Sequence, residues 1–211
     1  MFSKLRNMFA GNATSSVDDP FVHRRNVYIE ELDEPDIVFP KEDGVEILAF
    51  GRDFSPIESE DEGYVLLTSG MSDRAMTLPS DVGEAVRRRA ELMWYVREPS
   101  DEIIGNLRWL AKYPFIDDTW LGFGHRIPMP TPPLSICSFK TFLFLTPVIE
   151  PDQAVAENLR IEEEQVEILT VNLISDGEYS FIRETGLDDF LDALDDNDYP
   201  PIFDPDRPSY F

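Results

Sequence analysis

The segment from Phe139 to Val148 constrains the fold more than any other, because Phe142, Leu143, Phe144 and Leu145 follow one another without a polar break. A strand at a two-residue period sends such a run to both faces at once, so both faces must be covered. That predicts a central position in a sheet with helices packed on it. Val166 to Ile174 reads as a second strand, alternating Leu169, Val171 and Leu173 with more polar neighbours. Val45 to Phe50 and Tyr64 to Ser69 read as a neighbouring pair across an acidic loop, 58–63. In a further strand Ala90, Leu92, Trp94 and Val96 alternate with Glu91, Met93, Tyr95 and Arg97, which predicts unequal faces.

Helical signals fall between these strands. Ser100 suits an N-cap, Asp101 and Glu102 suit the positive end of a helix dipole, and Ile103, Ile104, Leu107, Leu110 and Ala111 recur at helical spacing until Pro114, where the helix is expected to stop. Asp18 or Asp19 can cap a helix reaching Leu32 with Pro20 in its first turn. Ser80 is read as opening a short helical turn. Thr185 to Asp188 is read as a capping-box variant ahead of a helix with Leu187, Phe190, Leu191 and Leu194 inward. Ile202, Phe203, Tyr210 and Phe211 can pack back from the tail. The expectation is an α+β chain: one domain over 18–211, a mixed sheet of about five to six strands with helices on it, and a flexible leader at 1–17.

Composition narrows the function. A hydrophobic fraction of 42% with 12% aromatics supports a packed core rather than an acidic disordered tail. The formal charge is −24, from 42 acidic against 18 basic residues. Such a field repels nucleic acid and anionic membrane and draws in a basic protein partner; the alternative reading is that the charge serves solubility or reflects a salty habitat. Cys137 is the single cysteine, so neither an intrachain disulfide nor a cysteine-rich metal site is open to the chain, and a reducing cytoplasm fits. No segment has the continuous apolar length of a signal peptide or a membrane span.

Catalytic motifs are sparse. Gly122 and Gly124 lack the third glycine of a dinucleotide loop, no Walker pattern occurs, and Arg74 stands where the second glycine of a nucleophile elbow should be. His23 and His125 are the only imidazoles. Cys137 with His125 as nucleophile and base is weaker than Cys137 as a small core residue. Asp117, Asp118 and His125 offer oxygen and nitrogen donors for a metal-dependent hydrolase, yet adjacent carboxylates tend to point apart. The aspartates between Asp188 and Asp198 lack a calcium-loop spacing and suit a solvated helix face. The run Arg87 to Arg89 is expected to pair internally. No cofactor is expected. What remains is the stretch from 113 to 125, where Tyr113, Phe115, Trp120, Phe123 and His125 gather around Asp117 and Asp118, a composition common at binding surfaces and also at the edge of a core.

Seven segments in order, 64–73 (YVLLTSGMSD), 89–96 (RAELMWYV), 107–115 (LRWLAKYPF), 118–128 (DTWLGFGHRIP), 141–146 (TFLFLT), 166–174 (VEILTVNLI) and 203–207 (FDPDR), resemble the Suppressor of fused-like family in its bacterial branch. The resemblance implies a non-catalytic module that binds other proteins, with Tyr113 and the Gly122 to His125 turn near the family's peptide groove. Gly124 stands where the eukaryotic form has an acidic residue, so a different peptide specificity is implied. Bacterial relatives look like immunity proteins of polymorphic toxin systems. The expected partner-binding residues are Tyr113, Asp117, Asp118, Trp120, Phe123 and His125, and the expected partner is a basic toxin or regulatory protein. A constitutive structural or regulatory interaction domain is the other non-enzymatic reading.

Overall fold

The computed structural model describes residues 19–54, 62–83, 86–197 and 199–211. The expected leader, residues 58–61 of the acidic loop and Asp198 lie outside that set. Helix α1 (Pro20–Leu32) starts on Asp19, whose side chain accepts from the Phe21 N–H. Strands β1 (Ile37–Glu42), β2 (Val45–Asp53), β3 (Glu62–Ser69) and β4 (Arg89–Val96) follow, with one 3-10 turn, Met71–Asp73, between the last two. Then come α2 (Asp101–Ile116), β5 (Arg126–Pro128), β6 (Thr141–Leu145), α3 (Glu150–Asn158), β7 (Arg160–Ile161), β8 (Glu164–Ile174), α4 (Asp176–Thr185) and α5 (Leu187–Asp196).

The strands form one mixed sheet in the order β1-β2-β3-β4-β8-β6-β5, with β7 paired to β8. Only β4 and β8 run parallel; the other described pairs are antiparallel. The sheet has eight strands where five to six were expected. The additional ones are short or exposed. β1 carries Pro40 and is mostly solvent-facing, β5 has three residues, and β7 has two, so none leaves a hydrophobic period to read. β6 is buried on both faces as expected, but it lies one strand in from the β5 edge rather than at the centre.

The two faces hold different cores. On one, Ile47, Leu66, Leu92, Trp94, Phe142, Phe144, Leu169 and Val171 meet Ile103, Leu107 and Leu110 of α2. On the other, Leu48, Phe50, Met93, Tyr95 and Ile168 meet Tyr28 of α1 and Val155 of α3. A third cluster joins Leu143 and Ile174 to Ile182, Phe190 and Leu194 of α4 and α5. All of β4 is buried, so its faces are not unequal: Glu91 lies inside because Arg24, Ser72 and Thr68 reach it. The tail packs back through buried Ile202 and Phe203 and through Phe211, which stacks on Phe181 at 3.7 Å.

Three local expectations change. Helix α2 passes Pro114 and ends at Ile116. The proline costs a single N–H bond at the last turn, and the Asp117 N–H to Tyr113 (3.1 Å) and the Thr119 N–H to Pro114 (2.9 Å) close the end anyway. Thr185 belongs to α4, its hydroxyl donating to the Phe181 carbonyl at 3.0 Å. The capping box sits ten residues earlier, where Ser175 and Glu178 each bond the other's backbone. Ser80 lies in a turn, and no helix starts there among the described residues.

Candidate functional site

The loop between α2 and β5 is held at fixed points. Asp118 adopts φ 47° and Gly124 φ 77°, the left-handed backbone that lets the chain reverse twice within seven residues. Leu121 is buried and its N–H meets Met76 Sδ at 3.4 Å. The Gly124 N–H donates to the Phe144 carbonyl (2.7 Å) and the Phe144 N–H to the His125 carbonyl (3.0 Å), so the loop is stitched to β6. Trp120 and His125 meet edge to face at 4.0 Å, and His125 Nδ1 lies 3.2 Å from the Trp120 carbonyl. Burial lowers the His125 pKa, that backbone contact opposes it, and Arg126 adds to the lowering; the imidazole is therefore neutral at pH 7.

This arrangement divides the six candidate residues. Tyr113 is half-buried and turns inward against Trp109 at 5.4 Å. Asp117 and Asp118 are exposed. Trp120 and Phe123 line a cleft of about 740 Å³, and Phe123 is 47% exposed. Asp117, Asp118 and His125 do not come together as ligands: among the described residues no group of three His, Cys, Asp or Glu could hold a metal ion. Cys137 is half-buried beside the Phe139 carbonyl, and burial pushes its thiol pKa up, as suits a packed residue.

The cleft also collects residues that the sequence reading passed over. Its walls include Arg87, Gln153 and Glu157 of α3, and Gln165, Glu167 and Ile168 of β8. Glu167 continues the row of Leu169, Val171 and Leu173, three core residues on the same face, and this break in an apolar row is the one sequence signal for it. Burial pushes its pKa up, against the pull of Arg87 and of a hydrogen bond from the Phe123 backbone. Arg88 and Arg89 pair internally as expected: Arg88 reaches Glu164 at 3.8 Å, and Arg89 bonds Glu162, Glu164 (3.0 Å) and the Ser72 carbonyl (2.8 Å). No helix of the described residues is long and apolar enough to cross a membrane.

Comparison with known proteins agrees with this architecture. The sequence model of the family "Suppressor of fused protein (SUFU)" matches residues 41–208. A comparison with curated protein sequences returns no match. Among solved structures, a Suppressor of fused homologue from Neisseria gonorrhoeae superposes with a TM-score of 0.68 at 14% identity, over 92% of this chain and 97% of that one. A chain of the Sufu–Fu complex gives 0.62 at 13% identity over 90% of each. Drosophila Suppressor of Fused gives 0.61 at 14% identity, over 90% of this chain and 50% of that one. At these identities the superpositions speak for the fold.

Proposed function

The chain belongs to the Suppressor of fused family, and from that premise we propose that it is a non-enzymatic, cytoplasmic protein-binding module that neutralises a basic toxin or effector in the manner of an immunity protein. The observation that carries this reading is where the charge sits. Arg24, Arg52, Arg89 and Arg207 are drawn inward onto Glu91, Asp152, Glu164 and Glu178, while Asp117, Asp118, Asp188, Asp189, Asp192, Asp195 and Asp196 face solvent. The surface is therefore more one-sided in sign than the net charge of −24 conveys. Carboxylates presented beside Trp120 and Phe123 can occupy a cationic groove in place of phosphate and steer association. A relative in this fold is found in a protein complex, Sufu–Fu. The proposed contact residues are Tyr113, Asp117, Asp118, Trp120, Phe123 and His125.

The test is a pull-down from host lysate at low and high salt with the wild-type chain and an Asp117→Asn/Asp118→Asn variant. Both side chains are exposed, so the variant keeps the fold. A single basic protein retained at low salt, released at high salt and depleted by the variant is the expected result, with inhibition of that protein's activity by the purified chain. Retention of no protein, together with stoichiometric binding of a divalent ion, overturns it in favour of hydrolytic chemistry. A salt-insensitive partner with no inhibited activity overturns the immunity role in favour of a constitutive interaction domain.

A further inference from the structure

We infer that the cleft beneath Trp120 and Phe123 is a receptor for an arginine or lysine side chain of the protein partner, with Glu167 as its carboxylate and Arg87 as the internal cation that it displaces. This rests on the protein-binding reading above and adds to the exposed aspartates, which act on the whole partner, a contact at a residue in β8.

The cleft exists because the sheet edge opens there. On one side of β8 the pairing with β7 ends at Gln165, and the Val166 N–H goes to the Leu159 carbonyl at 3.0 Å. Pairing with β6 on that side begins only at Thr170, opposite Leu145. Between those points the chain leaves the sheet through Thr146 and Pro147 into α3, and among the described residues no strand covers this side of β8 at Ile168. The volume of about 740 Å³ is far more than one side chain needs.

Its chemistry selects a cation. Glu167 is half-buried and on the cleft wall, in a row that Leu169, Val171 and Leu173 continue as core residues, and Phe123 lines the same cleft. Glu157 is a second carboxylate on the wall, against Arg87 as the one basic residue among the described residues that line the cleft. Trp120 and Phe123 supply aromatic surface, which favours a guanidinium or ammonium group once water is displaced. A carboxylate in a desolvated setting gains more from a cation than one in open water, so Glu167 outweighs the more numerous surface aspartates per contact. Arg87 is exposed and lines the same cleft as Glu167, whose pKa its charge lowers, so a cation already stands near that carboxylate in the free protein. An incoming arginine competes with it, which gives the two residues opposite roles.

The experiment is an NMR titration of the isotopically labelled chain with a capped pentapeptide carrying one central arginine between valines, and with its glutamate counterpart. The Phe123 amide, on the cleft wall, is the reporter. The expected result is saturable movement of the Phe123 and Ile168 amides with the arginine peptide only. Binding weakens about ten-fold or more in Glu167→Gln, tightens in Arg87→Gln, and changes less than about two-fold in Asp117→Asn/Asp118→Asn. Amide spectra and thermal midpoints confirm that each variant is folded. Equal affinity in Glu167→Gln, or no saturable movement, overturns the cleft. Loss of peptide binding in the aspartate variant alone would overturn the cleft while leaving the acidic-surface reading intact. A functioning cleft combined with an empty pull-down would sink the inhibitor reading and leave the receptor standing.

Discussion

Arg207 shows how much a single residue can hold in this chain. Its guanidinium bonds both oxygens of Glu178 (2.6 and 2.8 Å) and the Leu173 carbonyl (3.1 Å), and it lies over the rings of Phe139 (4.4 Å), Tyr199 and Tyr210 (both 5.1 Å). Both partners are buried, so Arg207→Ala leaves a carboxylate unpaired in the core and is expected to cost about 3 kcal/mol, measured by urea unfolding at pH 7. Glu178→Gln, which removes the charge and keeps the shape, is expected to cost less. Burial alone would raise the Glu178 pKa, but the hydrogen bonds from Arg207, Ser175 and Tyr210 win and the net direction is down. A lowered folded-state pKa means that the pair stabilises above the ordinary glutamate range and loses its contribution as pH falls through the lowered value. Stability should therefore fall less steeply below about pH 4 in Glu178→Gln than in the wild type. The sequence shows Arg207 only as the end of the FDPDR stretch, because its partner lies 29 residues earlier and nothing local announces it. Glu91 is equally opaque: read alone it is the polar side of a strand, and only Arg24, 67 positions away by number and fully buried, explains why it points inward.

Elements with their own periodicity were legible, and elements defined by their neighbours were not. β2, β3, β4, β8, α1 and α2 follow from hydrophobic spacing and caps. β1, β5 and β7 exist because a longer strand offers them an edge, and α4 follows β8 so directly that its capping box at Ser175 and Glu178 merges with the end of the strand pattern. The candidate loop was legible as an aromatic cluster, yet the cleft it covers was not, since Arg87, Gln153 and Glu167 come from segments up to 80 residues apart. Two glycines separate position from propensity. Gly105 lies in α2 with nothing within 4 Å of an added Cβ, so Gly105→Ala should stabilise by up to about 1 kcal/mol through helix propensity alone. Gly177 lies in the first turn of α4, where an added Cβ would stand 2.1 Å from the Phe211 carbonyl oxygen. Gly177→Ala must displace the tail despite the same gain in propensity. Hydrogen exchange should show loss of protection at Tyr210 and Phe211 in that variant and none in Gly105→Ala.

At the scale of the whole molecule, the charge acts on folding and on binding with opposite signs. Carboxylates in excess repel one another over the folded surface, and much of the basic complement that could offset them is engaged inside or at ion pairs such as Arg108 with Glu42 and Lys112 with Asp43. Raising salt from about 20 mM to about 300 mM shortens the screening length several-fold, so the free chain should become more stable, with a higher thermal midpoint by calorimetry. The same salt should weaken the complex with a basic partner, chiefly by slowing association, because steering by the surface field is lost. The half-buried Glu167 is screened less than the exposed aspartates, so the dissociation rate should respond to salt much less than the association rate does. A complex whose association rate is indifferent to salt, made by a chain whose stability rises with salt, would mean that the acidity serves solubility and that recognition is apolar, through Trp120 and Phe123 alone.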